Sequence, residues 1–182
     1  MTESALEQIL NRYQNSFIEK VYASENQDSD LLMDVFNISP ALKRENRQYW
    51  GRELGMCWQL LVMETCKTYC SGFQSALRVG SDEPCDLVVD RYAIDTKYRI
   101  GSGDSGTLKK FKSYGSLLRD RSYTPVLLIL REDNLPAAIK ACEVGRWEIY
   151  TGDASLEFIH RLSGFDLKSF LMEREGAFPA NR

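Results

Sequence analysis

Apolar side chains recur at steps of three and four residues along the first part of the chain, and this spacing predicts helices. A first helix is expected from Ser4 to about Ala23, followed by a polar loop over residues 24–29 and a short helix over residues 30–36. A longer helix is expected from Asn46 to about Tyr69. Its buried stripe would consist of Leu54, Trp58, Leu61, Val62 and Thr65.

The pattern changes after Gly72, where short apolar runs bounded by turn residues predict strands. Residues 77–79 are expected to form a short strand. Residues 86–90 and 92–98 are expected to form two strands with a tight turn near Asp90 and Arg91. The remaining expected elements are, in chain order, a helix over 108–118, an apolar strand over 124–131, a short helix over 136–142, a strand over 147–150, and helices over 155–162 and 166–173.

This order of helices, a hairpin and then alternating strands and helices predicts the fold class α/β (α+β), with a central mixed β-sheet flanked by helices. The length of 182 residues suits one domain that spans residues 1–182. We expect a helical N-terminal part of about residues 1–70, a sheet core of about 77–150 and a helical end of about 151–182.

Composition excludes several classes of protein. An apolar fraction of 43% supports a sizeable core and argues against a disordered chain. No apolar run approaches the thickness of a bilayer, and the acidic N-terminus does not resemble a signal peptide, so we expect a soluble, cytoplasmic protein with no membrane partner. Five cysteines argue against a disulfide framework, and the single histidine, His160, argues against a Ser-His or Cys-His hydrolase.

The formal net charge of −3 hides an uneven distribution. Residues 97–121 contain seven Lys and Arg residues against two Asp residues, and residues 40–52 contain four basic residues against one Glu. A local basic surface on an acidic protein is compatible with contacts to phosphates. Lys109, Lys110 and Lys112 are the candidates for such contacts. The glycine-rich stretch 101–107 nearby is expected to be a flexible loop that contacts DNA or serves as a linker.

The candidate chemistry lies on the strand that contains Asp95 and Lys97. Side chains alternate along a strand, so these two should project from the same face, where their charges are costly unless they serve a purpose. Asp86 precedes Asp95 with eight residues between them, and a hairpin of that length brings both carboxylates to one end of the sheet. A hard divalent cation such as Mg²⁺ removes their mutual repulsion. The alternative is an ion pair between Asp95 and Lys97 on an exposed strand.

Asp86 followed by Asp95-Thr96-Lys97 resembles the PD-(D/E)xK nuclease superfamily, and most resembles its type II restriction endonucleases. The resemblance covers roughly residues 51–150 and implies a restriction-endonuclease-like fold, a mixed sheet flanked by helices. The proline of the family's Pro-Asp pair stands one residue early here, in Pro84-Cys85-Asp86, which leaves Asp82 as an alternative first acid. The family's further acid on a preceding helix is matched to Glu53, with Glu64 as the substitute.

The resemblance implies a Mg²⁺-dependent endodeoxyribonuclease that cuts double-stranded DNA, with Glu53, Asp86 and Asp95 at the metal and Lys97 orienting or activating the attacking water. It implies a homodimer, because a palindromic duplex has two-fold symmetry. The residues expected to contact DNA are Arg99, Ser102, Lys109, Lys110 and Lys112. Two alternatives are a structure-specific nuclease similar to a junction resolvase and a non-catalytic DNA-binding protein of the same fold.

Overall fold

The computed structural model describes residues 3–19, 21–103 and 105–180. The elements of these residues are, in chain order, α1 (Glu3–Glu19), β1 (Val21–Tyr22), α2 (Leu31–Val35), α3 (Pro40–Glu45), α4 (Arg47–Tyr69), β2 (Phe73–Ser75), β3 (Leu87–Val89), β4 (Tyr92–Lys97), β5 (Ser102–Gly103), α5 (Ser105–Asp120), β6 (Thr124–Ile129), α6 (Pro136–Val144), β7 (Glu148–Thr151), α7 (Asp153–Ser163) and α8 (Leu167–Met172).

A five-stranded mixed sheet in the order β2-β3-β4-β6-β7 forms the centre of the protein. The first three of these strands are antiparallel, and β4, β6 and β7 are parallel. Asp90 and Arg91 form the tight turn between β3 and β4, with Asp90 at φ 50°, a left-handed conformation that Asp tolerates. The predicted mixed sheet flanked by helices is therefore confirmed.

The two faces of the sheet are covered by different helices. On one face α4, α2, α7 and α8 pack over alternate strand residues such as Ile94 and Leu128. On the other face α5 and α6 cover Ala93, Leu127 and Ile129. β6 is buried on both faces, which explains why its sequence is a continuous apolar run. Trp58 of α4 is fully buried, and its indole N–H donates to the Leu128 carbonyl at 3.2 Å.

Three local predictions were wrong. Residues 77 and 78 form no strand, Val79 begins a tight turn in which Val79 and Asp82 bond to each other, and Phe73–Ser75 pairs with β3 instead. The first helix ends at Glu19, because the chain then pairs as β1 with β5. The predicted flexible loop is short for the same reason, since Ser102–Gly103 forms β5 and α5 begins at Ser105. Lys20 and Asp104 lie outside the described residues.

The described residues contain no helix with the length and apolar character needed to cross a membrane.

A buried ion network lies where β4 and β6 end, and we call it the strand-end network. Its centre is Arg131, whose side chain is 4% exposed. Arg131 Nη1 lies 3.0 Å from Asp30 Oδ2, and its Nε lies 2.8 Å from Asp133 Oδ1. The Tyr98 hydroxyl donates to Asp30 Oδ2 at 2.5 Å, and Lys43 pairs with Glu25 at 2.5 Å beside the Tyr98 ring. The network therefore fixes the loop before α2 against the ends of the two central strands.

We predict that Arg131→Met lowers the free energy of unfolding by about 3 kcal/mol, because it leaves the Asp30 carboxylate buried without its cation and removes one of the two cations of Asp133. Urea unfolding followed by tryptophan fluorescence measures the change. Lys140→Met is the matched control, since Lys140 makes an exposed ion pair with Glu143 and its loss should cost less than about 0.5 kcal/mol. Equal effects of the two variants would contradict the role assigned to the network.

Candidate active site

The candidate site lies at an edge of β4 that no strand of the described residues covers. β6 pairs with β4 along all of Tyr92–Lys97, whereas β3 pairs with β4 only at Tyr92, Ala93 and Ile94. The backbone of Asp95, Thr96 and Lys97 therefore has a strand partner on one side only. This half-open segment of the sheet contains the predicted motif.

Asp86 lies just before β3. It makes hydrogen bonds to the part of β4 that lies beyond the end of the β3–β4 pairing. Its backbone N–H donates to the Ile94 carbonyl at 2.9 Å. Its Oδ2 accepts from the Thr96 backbone N–H at 2.7 Å and from the Thr96 hydroxyl at 2.6 Å. Its Oδ1 accepts from Gln59 Nε2 of α4 at 2.8 Å. Three donors from two elements thus fix the orientation of this carboxylate.

Asp95 and Lys97 project together from the face covered by α5 and α6, as the alternation along the strand predicted. Lys97 Nζ lies 2.7 Å from Asp95 Oδ2 and donates to the Thr96 carbonyl at 3.0 Å. The side chain of Asp95 is 15% exposed and that of Lys97 is 38% exposed. The carboxylate is therefore largely enclosed, while the ammonium can reach solvent.

The surroundings of these charges are poorly solvated. Burial raises the pKa of Asp95 to about 6, with Lys97 opposing the rise and Asp86 adding to it. Burial by itself would lower the pKa of Lys97, but the nearby carboxylates of Asp95 and Asp86 outweigh it, and the pKa is raised. Burial also raises the pKa of the Cys85 and Cys142 thiols, to about 11 and about 12, and Asp95 contributes to both.

The donor set fits a hard divalent cation such as Mg²⁺. The Lys97 ammonium contacts Asp95 Oδ2 and the Thr96 carbonyl together, so these two oxygens already converge on one positive charge. A carboxylate offers about four acceptor positions, and Asp86 uses three of them, which leaves one at Oδ1. Mg²⁺ is commonly held by one or two carboxylates and keeps several of its waters. Asp86 and Asp95 are the residues that would hold it.

The structure does not bring the predicted helix acid to this cluster. Glu53 is exposed on α4 and pairs with its neighbour Arg52 at 2.9 Å. Glu64 is also exposed and pairs with Lys67. Among the described residues, no three His, Cys, Asp or Glu side chains group closely enough to hold a metal. The α4 side chain that reaches Asp86 is Gln59, a neutral donor.

The structure distinguishes between Asp82 and Asp86, the two candidates for the first acid of the motif. Asp82 lies in the exposed turn before β3, and its Oδ1 accepts from the Tyr114 hydroxyl of α5 at 2.9 Å. Asp86, by contrast, bonds directly to Thr96 between the two motif residues. The geometry therefore places Asp86, and not Asp82, beside Asp95 and Lys97.

The residues expected to contact DNA fall into two groups. Arg99 is largely buried, and its guanidinium binds Asp133 and the Ala23 carbonyl, so its donors serve the fold. Ser102 is exposed on β5. Lys109, Lys110 and Lys112 are exposed on α5, and no ion pair in the described part of the chain involves them. Lys110 lies one turn before Tyr114, whose hydroxyl donates to Asp82.

Two residues of the site, Gln59 and Thr96, were missed at the level of sequence. Thr96 stands between Asp95 and Lys97, and its position on the opposite strand face concealed its hydroxyl bond to Asp86. Gln59 directly follows the buried Trp58 on α4. Its position at the border of the buried stripe was therefore the only feature of the sequence that indicated a role for it. That feature does not identify which strand the border faces.

Comparison with protein-family models, curated proteins and solved structures finds no match to this chain.

We predict that, with a chelator present, Asp95→Asn raises the free energy of unfolding at pH 7.5 by roughly 1–3 kcal/mol. The folded-state pKa of Asp95, about 6, lies above the ordinary value of 3.8, so the native carboxylate is destabilising once it ionises. The gain from Asn should therefore be absent below the ordinary pKa of 3.8, grow between about pH 4 and pH 6 and level off above that. Urea unfolding over this pH range measures it.

Glu64→Gln is the matched control for this measurement, because the Glu64 side chain is 69% exposed. Its stability difference from the wild type should show no comparable rise between pH 4 and pH 7.5. A gain from Asp95→Asn that is the same at every pH would contradict a raised pKa for Asp95.

Proposed function

We propose that this protein is a Mg²⁺-dependent endodeoxyribonuclease that hydrolyses phosphodiester bonds in duplex DNA, a sequence-specific restriction enzyme of type II with a restriction-endonuclease-like fold. The observation that supports it best is the cluster of Asp86, Asp95 and Lys97 at the open edge of β4, where Asp86 accepts from the N–H and hydroxyl of Thr96 and Lys97 bridges the Thr96 carbonyl and Asp95. The spacing of these residues carries the resemblance to the PD-(D/E)xK superfamily, and the hairpin of β3 and β4 brings them together.

Each residue of the cluster has a distinct task in this proposal. Asp86 and Asp95 would hold the cation, and Gln59 and Thr96 keep Asp86 oriented. A bound Mg²⁺ would supply concentrated positive charge at the phosphate that is hydrolysed. Lys97 has a raised pKa and so remains protonated at neutral pH. It therefore acts as a hydrogen-bond donor that orients the attacking water and stabilises charge on a phosphoryl oxygen, and not as a base.

The basic side chains of α5 support an approach of DNA from this side. Lys109, Lys110 and Lys112 are exposed on the helix that borders the face of Asp95 and Lys97. Phosphate contacts of this kind fix the position of a duplex without reading its sequence. We assign these three lysines to the DNA backbone beside the hydrolysed bond.

Cleavage of both strands requires two sites, and we propose a homodimer in which each copy cuts one strand. α1 makes no extensive contact with any other helix or strand of the described chain. Its Ile9 and Leu10 are 49% and 69% exposed, and Met56 and Leu60 on the outer side of α4 are 52% and 56% exposed. These apolar surfaces are available for a second copy of the chain.

We predict that the purified protein converts plasmid or phage DNA into discrete fragments with Mg²⁺ and leaves it intact with a chelator. Asp95→Ala and Lys97→Ala should each abolish cleavage, while DNA binding by gel shift is largely retained. Glu53→Gln should cut like the wild type, because Glu53 lies outside the cluster.

Full activity of either Asp95→Ala or Lys97→Ala, or cleavage without a metal, would remove this site assignment. A smear of products in place of bands would indicate a nonspecific nuclease. Cleavage of branched DNA alone would indicate a structure-specific enzyme. Binding without cleavage of any DNA, methylated or unmethylated, would favour a non-catalytic DNA-binding protein.

A further prediction concerns Gln59. Gln59→Leu removes the donor to Asp86 Oδ1 and should reduce the apparent Mg²⁺ affinity or the cleavage rate by about 10- to 100-fold, the usual cost of losing a residue that orients a metal ligand. The Mg²⁺ dependence of cleavage measures the effect. Lys67→Gln, at an exposed position on the same helix, is the control and should leave the Mg²⁺ dependence unchanged. An unchanged dependence in Gln59→Leu would show that Thr96 alone orients Asp86.

A further inference from the structure

A cleft of about 530 Å³ lies between the N-terminal end of α4 and the chain that follows the motif strand. We call it the readout cleft and define it by Tyr22, Arg47, Gln48, Gly51, Tyr98 and Ser102. Tyr98 is the residue directly after Lys97, and its side chain lies on the α4 face of β4, opposite to the face of Asp95 and Lys97. The cleft lies outside the phosphate contacts assigned to α5.

The cleft continues the face of α4 that bears Gln59. Gln48, Gly51, Gly55 and Gln59 follow one another at steps of three and four residues, which places them along one side of the helix. At 1.5 Å per residue, Gly51 lies about 12 Å and Gln48 about 17 Å along the helix from Gln59. Because base pairs of duplex DNA are spaced by about 3.4 Å, a duplex that runs along α4 would place about three to five base pairs over this distance.

The floor of the cleft leaves room for a ligand beside the helix backbone. A Cβ atom at Gly51 would meet no atom within 4 Å, whereas one at Gly55 would touch Tyr98 at 3.5 Å. The helix is therefore packed against β4 at Gly55 and open one turn earlier. A side chain larger than glycine at position 51 would project into this open space.

Two polar side chains of the cleft, those of Arg47 and Gln48, are available for a ligand, whereas Glu25, which also lines it, pairs with Lys43. Arg47 and Gln48 are exposed, and neither makes a side-chain hydrogen bond or ion pair with the described residues. Arg99 in the same wall differs, because Asp133 and Ala23 occupy its donors. Arginine pairs in a bidentate manner with guanine O6 and N7, and glutamine pairs likewise with adenine N6 and N7. This combination suits the base edges of DNA better than phosphates alone.

The opposite wall of the cleft is held in place by the fold. Tyr22 pairs with Ser102 in the ribbon of β1 and β5, and the Ala23 N–H donates to the Gly101 carbonyl at 2.9 Å. Arg99 ties this ribbon to Asp133 of the strand-end network. The cleft is thus preformed, which favours selective contacts, since little ordering is needed on binding.

We propose that the readout cleft binds base edges of the duplex near the hydrolysed phosphate and that Arg47 and Gln48 determine which sequence is cut. This inference rests on the proposed function, because it identifies the sequence-reading part of that same enzyme. Arg47 and Gln48 contact bases and are distinct from the lysines of α5, which contact phosphates.

The test is cleavage of a duplex library with a randomised central segment, followed by sequencing of the cut ends. The wild type should select one consensus. Arg47→Ala and Gln48→Ala should each relax the preference at one symmetry-related pair of positions by roughly 5- to 100-fold. Gln48→Glu should exchange a preference for adenine for one for cytosine, whose amino group donates to a carboxylate. Lys140→Ala, on the exposed side of α6, is the control and should keep the wild-type consensus.

Two outcomes would overturn the readout proposal and leave the proposed nuclease function intact. One is an unchanged consensus in all Arg47 and Gln48 variants. The other is an unchanged consensus with cleavage of every sequence weakened equally and a reduced salt dependence, which would make Arg47 a phosphate contact. Thermal unfolding of each variant separates these results from a loss of fold.

Selection of the same library by binding in Ca²⁺ separates the readout proposal from the proposed function. If the wild type binds one sequence but cuts none, the nuclease fails and the readout cleft is retained, provided that the Gln48 variants change the bound sequence. If the wild type neither binds nor cuts any sequence of the library selectively, the readout proposal is overturned.

Discussion

The Asp86 carboxylate accepts the backbone N–H of Thr96, and the arrangement of the site depends on this hydrogen bond. β3 stops pairing with β4 after Ile94, so without Asp86 the Thr96 N–H would lack a partner, at a cost of about 1–3 kcal/mol if it were buried. The bond also places one carboxylate against the strand segment that contains the other. The end of the pairing between β3 and β4 thereby leaves room for two carboxylates beside the strand. The Asp86 carboxylate also accepts the Thr96 N–H that would otherwise have no partner.

The strand-end network supports this site from just beyond the end of β4. Tyr98 and Arg99 follow Lys97 directly, and both are bound by buried partners, Tyr98 through Asp30 and Arg99 through Asp133. The end of the motif strand is therefore fixed independently of the cluster. The two sets of charges differ in character. In the network every charge has a close partner, whereas the cluster has two carboxylates for one ammonium, an excess of negative charge that suits a cation.

Four of the five strands of the sheet, all but β2, were predictable because apolar runs mark them, and the hairpin was predictable from Asp90 and Arg91. The shared face of Asp95 and Lys97 followed from alternation alone. Glu53 was matched by its place in a motif, but the buried stripe of α4 turns that position toward solvent. Arg99 was counted as surface charge because its partner, Asp133, is 34 residues away. β1 and β5 have two residues each, too few for any periodic signal.

The half-open edge of β4 has a further consequence. An unpaired strand edge is a template on which a strand of another molecule can add, and this is a common route to aggregation. Here Asp86 takes the Thr96 N–H and Lys97 takes the Thr96 carbonyl, so both backbone groups that an added strand would need are occupied. Such a strand would also have to desolvate two carboxylates and an ammonium. The charged side chains that we assign to catalysis thus also prevent a strand of another molecule from adding to the sheet at β4.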